Sequence, residues 1–249
     1  MGRTGLYIAL GIGVLTGLVF GLFPELDIAI SRVFYEHVVN GNHFGWRISP
    51  SLMMARDAGL WVGTIIIVGA LAALVFKLVF PKRRSLVSGR AILFLVVTMA
   101  LGPGLLVNVV LKEGWSRSRP IDVPQFGGSE VFTPWWDPRG GCGSNCAFVS
   151  GDVSGAVWTI APAVLMPPPY RAVAVGAALA LGAGMAFARV MAGGHFASDV
   201  LFAGVFTFLV IWLAYAVIFR WPATRLSEDA SERRLERFSA VWRRLIGRG

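Results

Sequence analysis

The chain has 249 residues, of which 55% are hydrophobic and only 15% charged, and its mean hydropathy is +0.66. So little charge cannot cover the surface of a water-soluble domain of this size, which excludes an ordinary soluble fold and implies an integral membrane protein. The net charge of +9 does not imply nucleic acid, because the basic residues gather in two short stretches beside apolar runs, where anionic lipid headgroups are the expected partners.

Six apolar stretches can span a bilayer core of about 30 Å, which takes roughly 20 helical residues. The first, residues 6–23, is too long for a signal-peptide core and ends in Pro24-Glu25 without a small-residue cleavage site, so it reads as a retained helix. Next comes "ELDIAISRVFYEHVV", with Ile30, Val33, Phe34 and Val38 at helical spacing. This amphipathic segment either lies in the membrane interface or caps the other helices. The remaining spans are residues 60–80, 91–111, 153–166, 172–188 and 200–219, the fourth being short and carrying Pro162. The predicted fold is all-α: a six-helix transmembrane domain over residues 1–219 and a basic amphipathic tail over 220–249.

Charge orients the spans. The loop after the second carries Lys82, Arg83, Arg84 and Arg90 without an acid, and the tail carries eight arginines against four acids. The positive-inside rule places both in the cytoplasm, with both chain termini. The opposite, outer face then receives residues 24–59, 112–152 and 189–199. Segment 226–245 is expected to rest on the inner leaflet.

That orientation uses no chemistry, yet it sends three unusual polar clusters to one face. They are "KEGWSRSRP" from Lys112, "FVSGDVSG" from Phe148 and "ARVMAGGHFASD" from Ala188. Singly, each has a plain structural reading: cations that snorkel to headgroups, Ser150 and Asp152 capping a helix, and His195 with Asp199 as a buried polar pair. Together they suit a phosphate ester. Guanidinium forks match phosphoryl oxygens and a lysine adds a point charge. A helix N-terminus offers free N–H groups. A neutral histidine can attack phosphorus when its other ring nitrogen is held in one tautomer. At a separation of four, His195 and Asp199 are expected to be neighbours on one helical face.

On these residues the chain resembles the type 2 phosphatidic acid phosphatase (PAP2) superfamily, whose signature is K-x6-RP, PSGH and SR-x5-H-x3-D. Lys112, Arg119 and Pro120 match the first part. Arg189, His195 and Asp199 match the third at both spacings, with Ala188 in place of Ser. The resemblance implies a nucleophilic His195 forming a phosphohistidine, with Asp199 orienting it. It implies a phosphate held by Lys112, Arg119 and Arg189 with Ser150 and the Gly151 amide, and no metal or other cofactor. It also implies a phosphorylated lipid as substrate, taken at the outer face of what reads as a bacterial inner membrane, among membrane lipids and without nucleic acid.

The second motif departs from the family. Val149 replaces Pro, and Asp152 stands where the family has a histidine that protonates the leaving oxygen. Either the leaving group needs little protonation, or Asp152 is desolvated enough to act as the acid, or phosphate is bound without turnover. The outer loop adds Arg117, Trp135 and Arg139 as candidate headgroup contacts, with Arg139 or Arg117 a candidate partner for Asp152. Such a loop suits a large polar headgroup, as in lipid A or a polyprenyl diphosphate, with phosphatidylglycerol phosphate as a further candidate. Alternatives to hydrolysis are phosphotransfer to a lipid hydroxyl and a non-catalytic lipid-phosphate binding or transport role. Cys142 and Cys146 can form a local disulfide or remain two thiols, and two ligands make no metal site.

Overall fold

The computed structural model describes residues 1–80 and 87–227, with Ala230, Arg233 and Arg237 beyond them. The basic residues Lys82, Arg83 and Arg84 and most of segment 226–245 therefore lie outside the described residues. All regular structure among the described residues is helical, apart from one isolated bridge between Val39 and Asn42. In chain order the helices are α1 (Arg3–Leu22), α2 (Glu25–Tyr35), α3 (Pro50–Val79), α4 (Gly89–Gly114), α5 (Gly151–Leu165), α6 (Tyr170–Met191) and α7 (Ala197–Arg220). All but α2 and α5 are long and apolar enough to cross a membrane.

α5 corresponds to the short fourth span. At about 1.5 Å per residue it rises only about 22 Å, and it survives by being enclosed. Val153, Ala156, Trp158, Ile160 and Ala161 are all buried, among α3, α4, α6 and α7. Its polar side chains are satisfied across the bundle, as a site without water requires. Ser154 shares a 2.6 Å hydrogen bond with Thr207 of α7, and the Trp158 indole donates to Thr98 of α4 at 3.0 Å. Pro162 has no N–H to offer the Trp158 carbonyl, and the helix breaks at Thr159, whose hydroxyl donates to the Ala156 carbonyl at 2.6 Å.

Proline also shapes α4. Pro103 lies within a wide π-type stretch, Ala100–Leu111, and the side chain of Asn108 donates to its carbonyl at 2.7 Å. Such widening is an identifiable consequence of disturbing the i→i−4 ladder. Lys112 follows at once, in the last turn.

One segment differs from the hydropathy reading, and another takes one of the two forms expected of it. α3 begins at Pro50, ten residues before the expected 60, because Arg56 and Asp57 dilute the apolar signal while Pro50 at the first position starts the helix. α2 is a packed cap: Asp27 and Ser31 are fully buried and Ile30 and Phe34 lie on the core. The last turns of α1, α4 and α6 and the first turns of α3, α5 and α7 thus share one end of the bundle with α2 and loop 115–150. At the other end Trp212 donates to the Gly2 carbonyl at 3.1 Å.

Candidate active site

Loop 115–150 enters the bundle through Arg117, whose side chain is completely buried. Its Nη2 donates to Asp27 Oδ2 at 2.8 Å, its Nη1 to Asp199 Oδ1 and to Ser198 Oγ, and its Nε to the Thr133 carbonyl at 2.9 Å. Asp27 accepts in turn from the Ser198 amide at 3.0 Å and hydroxyl at 2.6 Å. The Phe196 ring covers the guanidinium at 4.7 Å, a favourable cation–π placement. Buried charges persist only when paired and hydrogen-bonded, and this knot meets both conditions. Arg117 is therefore not a headgroup contact, since it is fully buried and each of its three nitrogens is engaged inside the protein.

His195 lies between α6 and α7. The expected one-face relation to Asp199 fails because α7 starts only at Ala197, so His195 is not on the helix. Asp199 instead folds back to accept from the Phe196 amide at 2.8 Å and pairs with Arg117. The partner of His195 is the Ala147 carbonyl, 2.7 Å from Nδ1. A carbonyl can only accept, so Nδ1 carries the proton and Nε2 keeps its lone pair. Backbone thus performs the tautomer selection expected of a carboxylate. Burial pushes His195 well below its ordinary imidazole range, reinforced by Arg189, Arg119 and Lys112 and opposed by the bond to Ala147. Burial thus favours the neutral ring.

Those three cations are the ones the sequence motifs single out, and the structure brings them together around His195. Lys112 stands in the last turn of α4. Arg189, in the last turn of α6, packs over Gly194, where any side chain would collide with its guanidinium. Gly193 beside it has φ +62° and is pressed by Phe44 and Ile121, so this turn requires glycine at 193, and a side chain at 194 would displace the Arg189 guanidinium. Arg119 is aimed by the Asn145 carbonyl, which accepts from its Nη2 at 2.6 Å and Nε at 3.2 Å. Ser150 caps α5, accepting from the Val153 amide at 3.5 Å. The Gly151 and Asp152 amides then belong to a first turn that has no intrahelical acceptors.

Asp152 faces cations, although not the expected ones. Its Oδ2 accepts from Arg56 Nε at 2.7 Å and lies 3.3 Å from Arg189 Nε, a nitrogen not aimed for a hydrogen bond and otherwise unpartnered. Arg139 is exposed and paired with Asp137 at 2.8 Å. Trp135 packs on Phe202, and its indole donates to the Gly17 carbonyl at 3.2 Å. Arg139 therefore does not reach Asp152, and Trp135 fastens the loop to α1 and α7. Cys142 and Cys146 form a disulfide, and the loop it closes presents the Asn145 carbonyl to Arg119, with Ala147 next in the chain. The sequence reading missed Arg56, Asp27 and these two carbonyls. A cation within the first turns of an apolar helix was the one available signal for Arg56. Among the described residues no group of three or more His, Cys, Asp or Glu side chains is placed to hold a metal ion.

This arrangement can receive a tetrahedral anion beside a neutral imidazole, and similarity agrees with it. The chain is 34% identical to a lipid A 4'-phosphatase of Francisella tularensis subsp. novicida (strain U112), over 88% of this chain and 98% of that protein. It is 30% identical to a lipid A 4'-phosphatase of Rhizobium leguminosarum, over 81% and 87%. No solved structure matches. The profile of the PAP2 superfamily matches residues 91–223, which contain all three motifs, and the chain belongs to that superfamily as an integral membrane phosphatase.

Proposed function

We propose that the protein hydrolyses the phosphate ester of a saccharide lipid of the lipid A type, at the outer face of a bacterial inner membrane, through a phosphohistidine on His195. The observation that carries this is the Ala147 carbonyl on Nδ1, which leaves a lone pair on Nε2 among Lys112, Arg119 and Arg189. The names of the two relatives support the substrate class. In the first step Nε2 attacks phosphorus, the N–P bond forms and the P–O bond to the sugar breaks, with its electron pair leaving on the sugar oxygen, which takes a proton from solvent water. The cations and the first amides of α5 meet the charge on the three phosphoryl oxygens. Water then attacks phosphorus and gives up a proton to solvent, and the N–P electrons return to Nε2 as phosphate departs. Asp199 serves by fixing the start of α7 and Arg117. Asp152 serves by anchoring Arg56 and Arg189.

Purified protein in detergent is expected to release phosphate from lipid A faster than from phosphatidic acid, phosphatidylglycerol phosphate or a polyprenyl diphosphate. His195→Ala should lower that release by at least about 10³-fold, as loss of a nucleophile does. Labelled phosphate should remain on the wild-type protein after an acid-free quench. Sustained turnover by His195→Ala would overturn the assignment. Lipid binding without turnover or labelling would favour a binding protein.

A further inference from the structure

Beside the phosphate site, between the end of α2 and the start of α3, lies a cavity of about 280 Å³ that the chemistry above does not use. Tyr35, Asn42, His43, Phe44, Arg47 and Ile121 line most of it. Its wall is continuous with the catalytic turn. Phe44 and Ile121 press on Gly193, and the Ile121 amide donates to the Gly193 carbonyl at 3.2 Å. Gly193 is two residues from His195, and Ile121 is two from Arg119.

The lining combines flat rings with free polar edges. Tyr35 and His43 are stacked at 4.1 Å with 8° between their planes, and Phe44 stands edge-on to Tyr35 at 5.4 Å. His43 Nδ1 lies 3.2 Å from the Tyr35 carbonyl, which can only accept, so its Nε2 is an open acceptor. Arg47 is exposed, makes no ion pair among the described residues, and sits close enough to Arg119 and Asp122 to act on both electrostatically. The cavity wall is mixed, with aromatic and aliphatic side chains between polar groups of fixed position, as a site for a small polar molecule with apolar faces would present. At about 280 Å³ the cavity can take one hexose ring. The larger cavity between α1, α5, α6 and α7 is almost wholly apolar and reaches the far end of the bundle at Met1 and Arg171, so it offers a headgroup sugar nothing to bind.

We infer that this cavity is a saccharide subsite that holds the hexose ring carrying the phosphate, with aromatic faces against the ring and Arg47, Asn42 and His43 on its polar substituents. The inference rests on the proposed saccharide lipid substrate and adds where its specificity resides. Arg47 and His43 are then specificity residues that do not touch the reacting atoms.

The test uses full-length protein in detergent with two probes: lipid A, for KM, and inorganic phosphate, for its inhibition constant as competing product. Arg47→Gln with His43→Ala should raise KM for lipid A at least tenfold and leave the inhibition constant of phosphate within twofold. Both side chains are exposed, and an unchanged phosphate constant also certifies folding. An unchanged KM would overturn the subsite while leaving the phosphatase reading intact. So would a rise in both constants together, which would put Arg47 in the phosphate site. Failure of the wild type to act on lipid A would instead remove the substrate reading and the subsite with it.

Discussion

Arg117 and Arg119 are two residues apart in one loop and occupy opposite electrostatic surroundings. Arg117 faces two carboxylates, Asp27 and Asp199, and has every donor group engaged. Arg119 meets one backbone carbonyl and shares its neighbourhood with Lys112 and Arg189. The first cluster is neutralised from within and needs nothing further. The second concentrates positive charge that the protein itself does not balance, apart from Asp152 and the outlying Asp122. Two arginines of the same motif region thus divide the labour: one fixes the shape, and the other leaves charge for an anion. Stability and activity should therefore respond separately to substitution at the two clusters.

The largest effect should come from the neutralised cluster. Arg117→Met leaves Asp27 and Asp199 buried without a counter-charge, and removal of one partner from such a pair costs about 3–5 kcal/mol. Thermal unfolding in detergent should show that loss, and a variant unfolding like wild type would break the comparison. Arg189→Ala should do the reverse. Loss of one donor to transition-state charge costs about 10²–10³ in rate, while relief of like-charge crowding leaves the unfolding temperature unchanged or higher.

The same variant tests the histidine. Because the folded imidazole is depressed, the acid limb of kcat/KM in the wild type should fall below the ordinary value of about 6.5. Arg189 is the largest charge contribution to that depression, so Arg189→Ala should move the limb upward. The sign for stability is fixed as well. Between the depressed value and about 6.5 only the unfolded chain takes the proton, so this contribution falls as pH falls through that window.

Smaller effects sharpen the division. Cys142→Ser with Cys146→Ser frees the loop that presents Asn145 to Arg119 and adjoins Ala147, and a drop in kcat/KM on the order of tenfold is expected, since slight misplacement of oriented groups costs up to about 10². Reduction of the wild type by dithiothreitol should reproduce it. The smallest effect is assigned to Asp152→Asn. As an anchor of Arg56 and Arg189 it should shift KM and its salt dependence a few-fold, with little change across leaving groups. A general acid would contribute about 10²–10⁴, concentrated on poor leaving groups, and that pattern would return Asp152 to the acid role.

Much of this was legible in the sequence. The long spans appear as hydropathy, and Lys112, Arg119 and Arg189, which the family resemblance points to, lie close enough to His195 to act on it electrostatically. What was not legible has physical causes. Asp199 was expected beside His195 because a separation of four means adjacency only within a helix, and α7 begins two residues too late. Arg117 and Arg119 are the same residue type at nearly the same place, and only tertiary packing distinguishes the buried one. The carbonyls of Ala147 and Asn145 act through backbone, which leaves no trace in side-chain identity. Arg56 was hidden because a charged pair near a helix start lowers the average that defines the span.

The knot around Arg117 also bears on the order in which the molecule can be completed. It ties residue 27 to residue 117 and both to residues 198 and 199. As the chain is synthesised, Asp27 and Arg117 can meet early, but Ser198 and Asp199 arrive only with α7. Until then Arg117 lacks its second carboxylate, Asp27 lacks the amide and hydroxyl of Ser198, and the turn bearing His195 has no anchored end. The end of the bundle that carries His195 is consequently closed only when α7 is in place.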